Sequence, residues 1–154
     1  MKYLIIIISF LNFNSTLNLE QNNSIFEAIE TQVSLEEQFY DRLEVKTNFP
    51  KMLNKYVDRK ASTRTEVPNS LWQDIKSNID YTFFKAEVIG AITDYYTDTE
   101  LQSLIDSNAS KPKIPITKLD FRVKLGQIIE GFIDTKFLVS ANSVLISNGY
   151  AKID

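Results

Sequence analysis

The stretch VPNSLWQDIKSNIDYTFFKAEVIGAITDYYTDTELQSLI, which runs from Val67 to Ile105, decides the fold class. Apolar residues recur in its first half every four positions, as they do on one face of a helix, at Leu71, Ile75, Ile79 and Phe83. Asn69 or Ser70 can cap the start of this helix. The stretch therefore predicts a long helix that faces the core, a tight corner and a second helix.

The corner carries the pattern of a capping box. The Thr97 hydroxyl can accept a hydrogen bond from a free amide of the next helix, and Glu100 can reach back to the backbone amide of Thr97. Apolar residues at helical spacing follow directly. We predict that Thr97 and Glu100 are the capping residues of this helix corner.

The same capping pattern occurs twice nearer the start of the chain. Ser24 is followed three residues later by Glu27, and Ser34 is followed in the same way by Glu37. Each pair precedes apolar residues at helical spacing, which is typical of a helix start. We predict one helix after Ser24, and a second helix or a bent continuation after Ser34.

Two features further along predict interruptions of the helices. Pro50, preceded by Asn48, is expected to interrupt a helix, because Pro lacks the amide hydrogen that a helix interior needs. The run DRKASTRTEVPN, residues 58–69, has no apolar periodicity and contains several small polar residues. It is therefore predicted to be a long loop.

The last third of the chain predicts one more long helix. Its apolar residues, from about Thr117 to Phe137, cover a wide arc that includes Leu119 and Val123. In the tail beyond it, Gly149 follows an Asn and is typical of a residue that ends a helix.

Length and composition predict one domain. The chain has 154 residues, of which 44% are hydrophobic, with four Gly and four Pro. A chain of this size can bury a core of its own. We predict an all-α fold: a single compact bundle of about five or six helices over residues 21–154, preceded by a signal peptide at residues 1–20.

The signal peptide is predicted from MKYLIIIISFLNF, residues 1–13. Lys2 precedes an apolar run that is too short to span a bilayer but has the length of a secretory signal core. A buried first strand is the alternative, since Ile-rich runs also suit strands. A signal peptide implies a periplasmic or secreted protein that has no stable membrane anchor once the signal is removed.

The chain contains no Cys and no His, and its charge is balanced. These absences exclude disulfides, thiol nucleophiles, Cys/His zinc sites and Ser-His-Asp triads. Nine basic and ten acidic residues lie in residues 1–77, and eight and ten lie after them. Neither half is basic enough to attract a phosphate backbone, so we predict no nucleic-acid partner.

Two segments resemble a known family. PNSLWQDIKSNID, residues 68–80, and VIGAITDYYTDTELQSLID, residues 88–106, are similar to the core of the domain-of-unknown-function family numbered 2059. That family has a P..lW helix start and then a Tyr/Phe-Thr-Glu-Glu-Glu-Leu corner, which here is the hexapeptide YTDTEL at residues 96–101. The resemblance covers residues 25–111, and the chain departs from the family pattern after Leu104. It implies an all-α fold and export from a bacterial cell, but it brings no activity.

The aromatic residues suggest where a ligand could bind. Bundles bind guests between helices, and we predict an apolar groove lined by Trp72, Phe84, Tyr95 and Tyr96. Phe84 lies off the face that contains Phe83, so it is expected either to be exposed or to contact a second helix. The leading hypothesis is a non-catalytic binding or interaction module whose partner is an unknown protein or a small apolar ligand.

Two alternatives are kept open. One is a carboxylate-dependent hydrolase with its acids around the corner from Tyr95 to Glu100, which would require a deep pocket with two buried acids. The other is a self-associating structural protein of the envelope. Asp94, Asp98 and Glu100 could surround a hard cation, but they lack the frame of a calcium-binding loop. We therefore predict no catalytic residue, no metal ligand and no cofactor.

Overall fold

A computed structural model describes residues 33–107 and 114–154, and every secondary-structure element in these two ranges is helical. In chain order they are α1 (Leu35–Arg42), α2 (Glu44–Thr63), α3 (Asn69–Ser77), α4 (Thr82–Tyr95), α5 (Asp98–Asp106), α6 (Leu119–Phe132), a π-helical segment (Ile133–Phe137) and α7 (Leu138–Ser147). The last three elements follow one another without a break, so the described ranges contain six continuous helical segments. The predicted all-α fold is confirmed. The predicted signal peptide and the helix after Ser24 lie outside the described residues.

Helix α1 begins at the predicted cap. The Glu37 N–H donates to the Ser34 hydroxyl oxygen at 3.2 Å, which satisfies one of the free amides of the first turn. The helix ends at Leu43, whose backbone is extended with φ −68° and ψ 135°. Because α2 starts at the next residue, Glu44, the chain bends between two helices here. The alternative of a bent continuation from the helix after Ser24 lies outside the described residues.

Helix α2 continues through Pro50, and the predicted interruption is wrong. Proline inside a helix costs about 3 kcal/mol. On the same helix Phe49, Leu53 and Val57 lie four residues apart, and each is at most 3% exposed. Burial of each such side chain contributes about 1.5–3 kcal/mol, so the apolar face outweighs the lost hydrogen bond.

The predicted long loop is also shorter than expected. Helix α2 extends to Thr63, where the Ser62 hydroxyl donates to the Arg59 carbonyl at 2.8 Å and the Thr63 hydroxyl donates to the Lys60 carbonyl at 3.0 Å. These side chains donate to carbonyls in the last turns of the helix and stabilise its end. Only residues 64–68 connect α2 to α3.

The long helix predicted after Val67 is two helices. Helix α3 ends at Ser77 and α4 begins at Thr82, whose N–H donates to the Asp80 carboxylate at 2.8 Å. The break changes the direction of the side chains that follow it. Phe83, predicted to face the core, is 44% exposed, whereas Phe84 is 1% exposed. The predicted apolar face is therefore wrong beyond Ile79.

Aromatic contacts show that α4 and α6 are antiparallel. Near the start of α4, Phe84 contacts Phe132 at the end of α6, with ring centroids 5.8 Å apart. After the end of α4, Tyr96 contacts Phe121 near the start of α6 at 5.2 Å. Phe49 of α2 packs against Phe84 at 4.3 Å, so Phe84 contacts a second helix, one of the two predicted alternatives.

The π-helical segment keeps the run from α6 to α7 facing the core. In an α-helix two residues five positions apart point about 140° away from each other. Here the Leu138 N–H donates to the Ile133 carbonyl five residues back, and the wider turn places both Phe132 and Phe137 in the core. The predicted arc of this helix is wrong near its start, where Leu119 and Val123 are exposed.

The end of α7 is capped as predicted. Gly149 has a φ of +82°, a conformation that glycine adopts without steric cost. The Tyr150 N–H donates to the Leu145 carbonyl at 2.9 Å, and the Gly149 N–H donates to the Ile146 carbonyl at 3.0 Å. This pair of bonds is a Schellman motif. It turns the chain back toward α2, where Ile153 is buried.

Candidate functional site

The four residues predicted to line an apolar groove do not form one. Trp72 and Phe84 are each 1% exposed and belong to the core. Tyr96 is also buried, and Tyr95 is half-buried against the same core. The helix break turns Phe84 inward, and α3, which carries Trp72, packs against both α2 and α7. This prediction is therefore corrected.

The corner after α4 holds the capping box that the sequence predicts. The Thr97 N–H donates to Glu100 Oε2 at 2.9 Å, and the Glu100 N–H donates to Thr97 Oγ1 at 3.3 Å. Lys118 adds an ion pair, with its Nζ 2.8 Å from Glu100 Oε1, and it donates to the Tyr95 carbonyl at 2.7 Å. An ion pair and a hydrogen bond thus connect the corner to the segment that precedes α6.

This arrangement does not suit acid catalysis. The hydrogen bond from Lys118, followed by that from the Thr97 backbone, holds the pKa of the Glu100 carboxyl below its usual value. Asp94 and Asp98 are exposed, and no Asp, Glu, Lys or Arg of the described ranges is fully buried. The corner lacks the two buried acids that the hydrolase alternative requires. Nor do the described residues bring three acids together as a metal site.

Tyr96 has a buried hydroxyl beside the corner. Its ring lies 5.2 Å from the rings of both Phe39 and Phe121. The hydroxyl oxygen has no hydrogen-bond partner within the described part of the chain. Burial, with a smaller contribution from the Glu100 charge, raises the pKa of Tyr96 to about 12. The group therefore stays neutral at any physiological pH and does not serve as a general base.

A groove does exist, but it lies at the other end of α4. It is formed by the end of α3, the start of α4, the π-helical segment and α7, and its volume is about 560 Å³. Its floor consists of buried apolar side chains: Ile75, Phe132, Phe137 and Ala141. We call this site the α7 groove. Its apolar floor is open to solvent on one side, as expected of a site for a ligand of moderate size.

The rim of the α7 groove is polar and carries both signs of charge. Hydroxyl groups come from Thr135, Ser140 and Ser143. Lys136 lies over the exposed ring of Phe83, with its Nζ 4.3 Å from the ring centroid. It forms no ion pair within the described ranges, so its ammonium is available to a ligand at the mouth of the groove.

Asp80 is the acid of the same rim, but it is already engaged. Its carboxylate accepts the Thr82 N–H at 2.8 Å. Hydrogen bonds from the Thr82 side chain and then from its backbone hold the pKa of Asp80 below its usual value. The Asp80 carboxylate therefore accepts hydrogen bonds at the start of α4. The Lys136 ammonium, in contrast, has no hydrogen-bond acceptor among the described residues.

The outer side of α7 has a second, more open depression that adjoins the groove. It has a volume of about 570 Å³ and shares Val139 and Ser143 with the α7 groove. Val139 is 61% exposed, and Ile146, seven residues further on, is 51% exposed. Residues seven apart lie on one helical face, so α7 presents both apolar side chains to solvent on one side, with Asn142 and Ser143 between them.

Sequence reasoning missed the α7 groove because two local irregularities create it. One is the π-helical segment, in which the Thr135 hydroxyl donates to the Gly131 carbonyl at 2.7 Å; no residue pattern marks it. The other is the break between α3 and α4, for which a signal was present. Asp is a residue type that commonly precedes the first turn of a helix. Asp80, two residues before Thr82, therefore marks the start of a new helix in the sequence.

Comparison with protein-family models, with curated proteins and with solved structures finds no match for this chain. The resemblance to the family numbered 2059 therefore stays a prediction. None of the helices in residues 33–107 and 114–154 combines the length and hydropathy needed to cross a bilayer.

Proposed function

We propose that this protein is a non-catalytic binding module whose working surface is the α7 groove. The observation that carries the proposal is the groove itself, a cavity of about 560 Å³ with an apolar floor and a polar rim that includes three hydroxyl groups. Its volume falls within the range of roughly 300–1,000 Å³ that is typical of small-molecule sites. Residues 1–20 lead us to propose further that the protein acts in the periplasm or outside the cell.

The proposal can be tested with N-phenyl-1-naphthylamine, a neutral dye that fluoresces in apolar surroundings. We expect saturable binding to the full chain. Ser140→Trp places a large ring at the rim of the groove and should weaken binding at least about tenfold, because the ring occupies the space of the dye. Ser103→Trp, at an exposed position of α5, is the matched control and should bind like the unmodified protein.

Two results would reject a binding function for the groove. One is the absence of saturable dye binding by the unmodified chain. The other is equal binding by the Ser140→Trp and Ser103→Trp variants, which would locate the dye elsewhere. Circular dichroism on both variants must show the helical content of the unmodified protein, so that a folding defect is not read as a lost site.

A self-associating structural protein is the second candidate. The exposed side chains of Val139 and Ile146 on one face of α7 favour it, because exposed apolar residues often mark contacts between proteins. Sedimentation velocity over a range of concentrations would show an increasing mass, and Ile146→Lys would abolish that increase. A monomer at every concentration would exclude this candidate without affecting the dye experiment.

A further inference from the structure

We infer that the natural ligand of the α7 groove is an amphiphilic anion, with an apolar body on the floor and a carboxylate beside Lys136. The inference rests on the proposed function and adds the chemical class of the ligand. It combines two features of the same groove: buried apolar side chains below, and at the mouth one cation that forms no ion pair with any described residue.

The position of Lys136 identifies the head group. Its ammonium lies 4.3 Å from the centroid of the Phe83 ring, and the electron-rich face of the ring attracts it there. An ammonium has three N–H donors, and a ring face on one side leaves the others for a ligand. A carboxylate at the mouth would accept these donors and would pair with the charge.

The state of Asp80 argues against a cationic head group. Thr82 already donates hydrogen bonds to the Asp80 carboxylate, from its N–H at 2.8 Å and from its side chain, so part of the hydrogen-bonding capacity that a cationic head group would use is already taken. Within residues 33–107 and 114–154, the Lys136 ammonium interacts only with the Phe83 ring. The Asp80 charge lowers the affinity for an anion, because like charges repel. Removing the charge of Asp80 and removing that of Lys136 should therefore change anion binding in opposite directions.

The apolar body of the ligand follows from the floor. Phe132, Phe137, Ile75 and Ala141 offer no polar atom of their side chains to a ligand, so an inorganic anion would leave them uncovered. Covering them with an apolar body is favourable, because it removes apolar surface from water. Neither feature alone selects the ligand; the cation and the floor together select a molecule that has both parts.

The test compares three probes with the same alkyl chain and different head groups: decanoate, decanol and decyltrimethylammonium. Each displaces N-phenyl-1-naphthylamine from the full protein, below the concentration at which micelles form. We expect decanoate to bind about tenfold more tightly than decanol, and the cation to bind most weakly. Added salt should weaken decanoate binding and leave decanol binding unchanged.

Substitutions on the two sides of the rim should have opposite effects. Lys136→Gln should reduce decanoate binding to the level of decanol, whereas Lys136→Arg should retain the preference. Asp80→Asn keeps an oxygen that accepts the Thr82 N–H but removes the charge, so it should strengthen decanoate binding about threefold. Lys51→Gln, at an exposed position of α2, is the matched control for a lost positive charge and should change nothing.

The outcomes separate this inference from the proposed function. Equal binding of decanoate and decanol to the unmodified protein would overturn the inference and leave an apolar binding module. The same conclusion would follow if Lys136→Gln weakened both probes alike, or if Lys51→Gln acted like Lys136→Gln. If neither the dye nor any alkyl probe binds, the proposed function itself fails.

Discussion

The side chain of Asn142 forms two hydrogen bonds with the main chain of a single residue, Ile153. Its Nδ2 donates to the Ile153 carbonyl at 2.9 Å, and its Oδ1 accepts the Ile153 N–H at 2.7 Å. The Arg64 guanidinium donates to the carbonyls of Ala151 at 2.8 Å and Lys152 at 3.2 Å. The tail after α7 has no secondary structure of its own. The side chains of Asn142 and Arg64 therefore supply hydrogen bonds to its main-chain groups.

The first prediction concerns this clamp. Asn142→Asp preserves the size of the side chain but replaces the donor with a carboxylate oxygen, which would face the Ile153 carbonyl. We expect the free energy of unfolding to fall by about 2 kcal/mol, because a part-buried bond becomes a repulsive contact. Urea denaturation at pH 7 measures it. Asn54→Asp, at an exposed position of α2, should cost less than about 0.5 kcal/mol, and equal losses would show that the clamp is unimportant.

The second prediction concerns Pro50. Pro50→Ala supplies the amide hydrogen that the interior of α2 lacks and removes a steric clash. We expect the free energy of unfolding to rise by about 2 kcal/mol, less than the full helix penalty because Pro also restricts the unfolded chain. Thermal and urea denaturation measure the change. Pro115→Ala, in the connection before α6, restores no helical bond and should not stabilise. A destabilised Pro50→Ala protein would mean that the proline is needed for the packing of α2.

The third prediction is a pH dependence that arises from Glu100. Its pKa is lowered in the folded protein, so its contribution to stability is present above the usual value of 4.5 and is lost as the pH falls through the folded value. The free energy of unfolding should therefore fall on acidification below about pH 5. Glu100→Gln should flatten this fall, because glutamine still caps but carries no charge.

Urea titrations at about pH 6, 5, 4 and 3 would follow the effect of Glu100. Glu87→Gln, an exposed acid of α4, is the matched control and should retain the slope of the unmodified protein. Parallel curves for Glu100→Gln and the unmodified chain would show that the pairing with Lys118 adds no stability in solution.

The fourth prediction concerns the buried hydroxyl of Tyr96. Tyr96→Phe removes a polar atom that has no partner among the described residues, and at pH 7 we expect a gain of about 1 kcal/mol in the free energy of unfolding. Above pH 10.0 the unfolded chain loses this proton first, since the folded pKa is about 12. The unmodified protein should therefore lose stability as the pH rises from 10.0, and the variant should lose less.

Denaturation at pH 7 and at about pH 11 measures both effects of Tyr96→Phe. Tyr95→Phe is the control, since its ring is half-buried in the same region of the core, and it should stabilise less. A loss of stability in Tyr96→Phe at pH 7 would mean that the hydroxyl has a partner in solution.

The helix ends at Ser34, Thr97 and Gly149 could be predicted because their signals are local. A cap binds amides two or three residues away, and a glycine with positive φ affects its own backbone. In each case the bonds found are those that the residue types indicate. The positions of these helix ends could therefore be predicted without knowledge of the tertiary packing.

Phe83 and Phe84 show where prediction from the sequence failed. The i,i+4 spacing placed Phe83 on the core face, but that inference assumed one unbroken helix from Leu71 onward. The break at Asp80 changes the direction in which the following side chains point, so Phe84 is buried and Phe83 is exposed. The break also removed Phe84 from the predicted groove, while Trp72 and Tyr96 were lost to it because helix packing buries them in the core.

By itself, the sequence determined the helical class, the capped ends and the absence of Cys and His chemistry, since propensity, capping and composition act over a few residues. Only the tertiary structure decided that α2 continues through Pro50, that a π-helical segment joins α6 to α7, and that Lys136 and Phe83 meet at one groove. The physical reason is that burial is a property of the whole core. Residues far apart in the chain share one apolar interior, and the free energy of filling it exceeds the local cost of a proline or a widened turn.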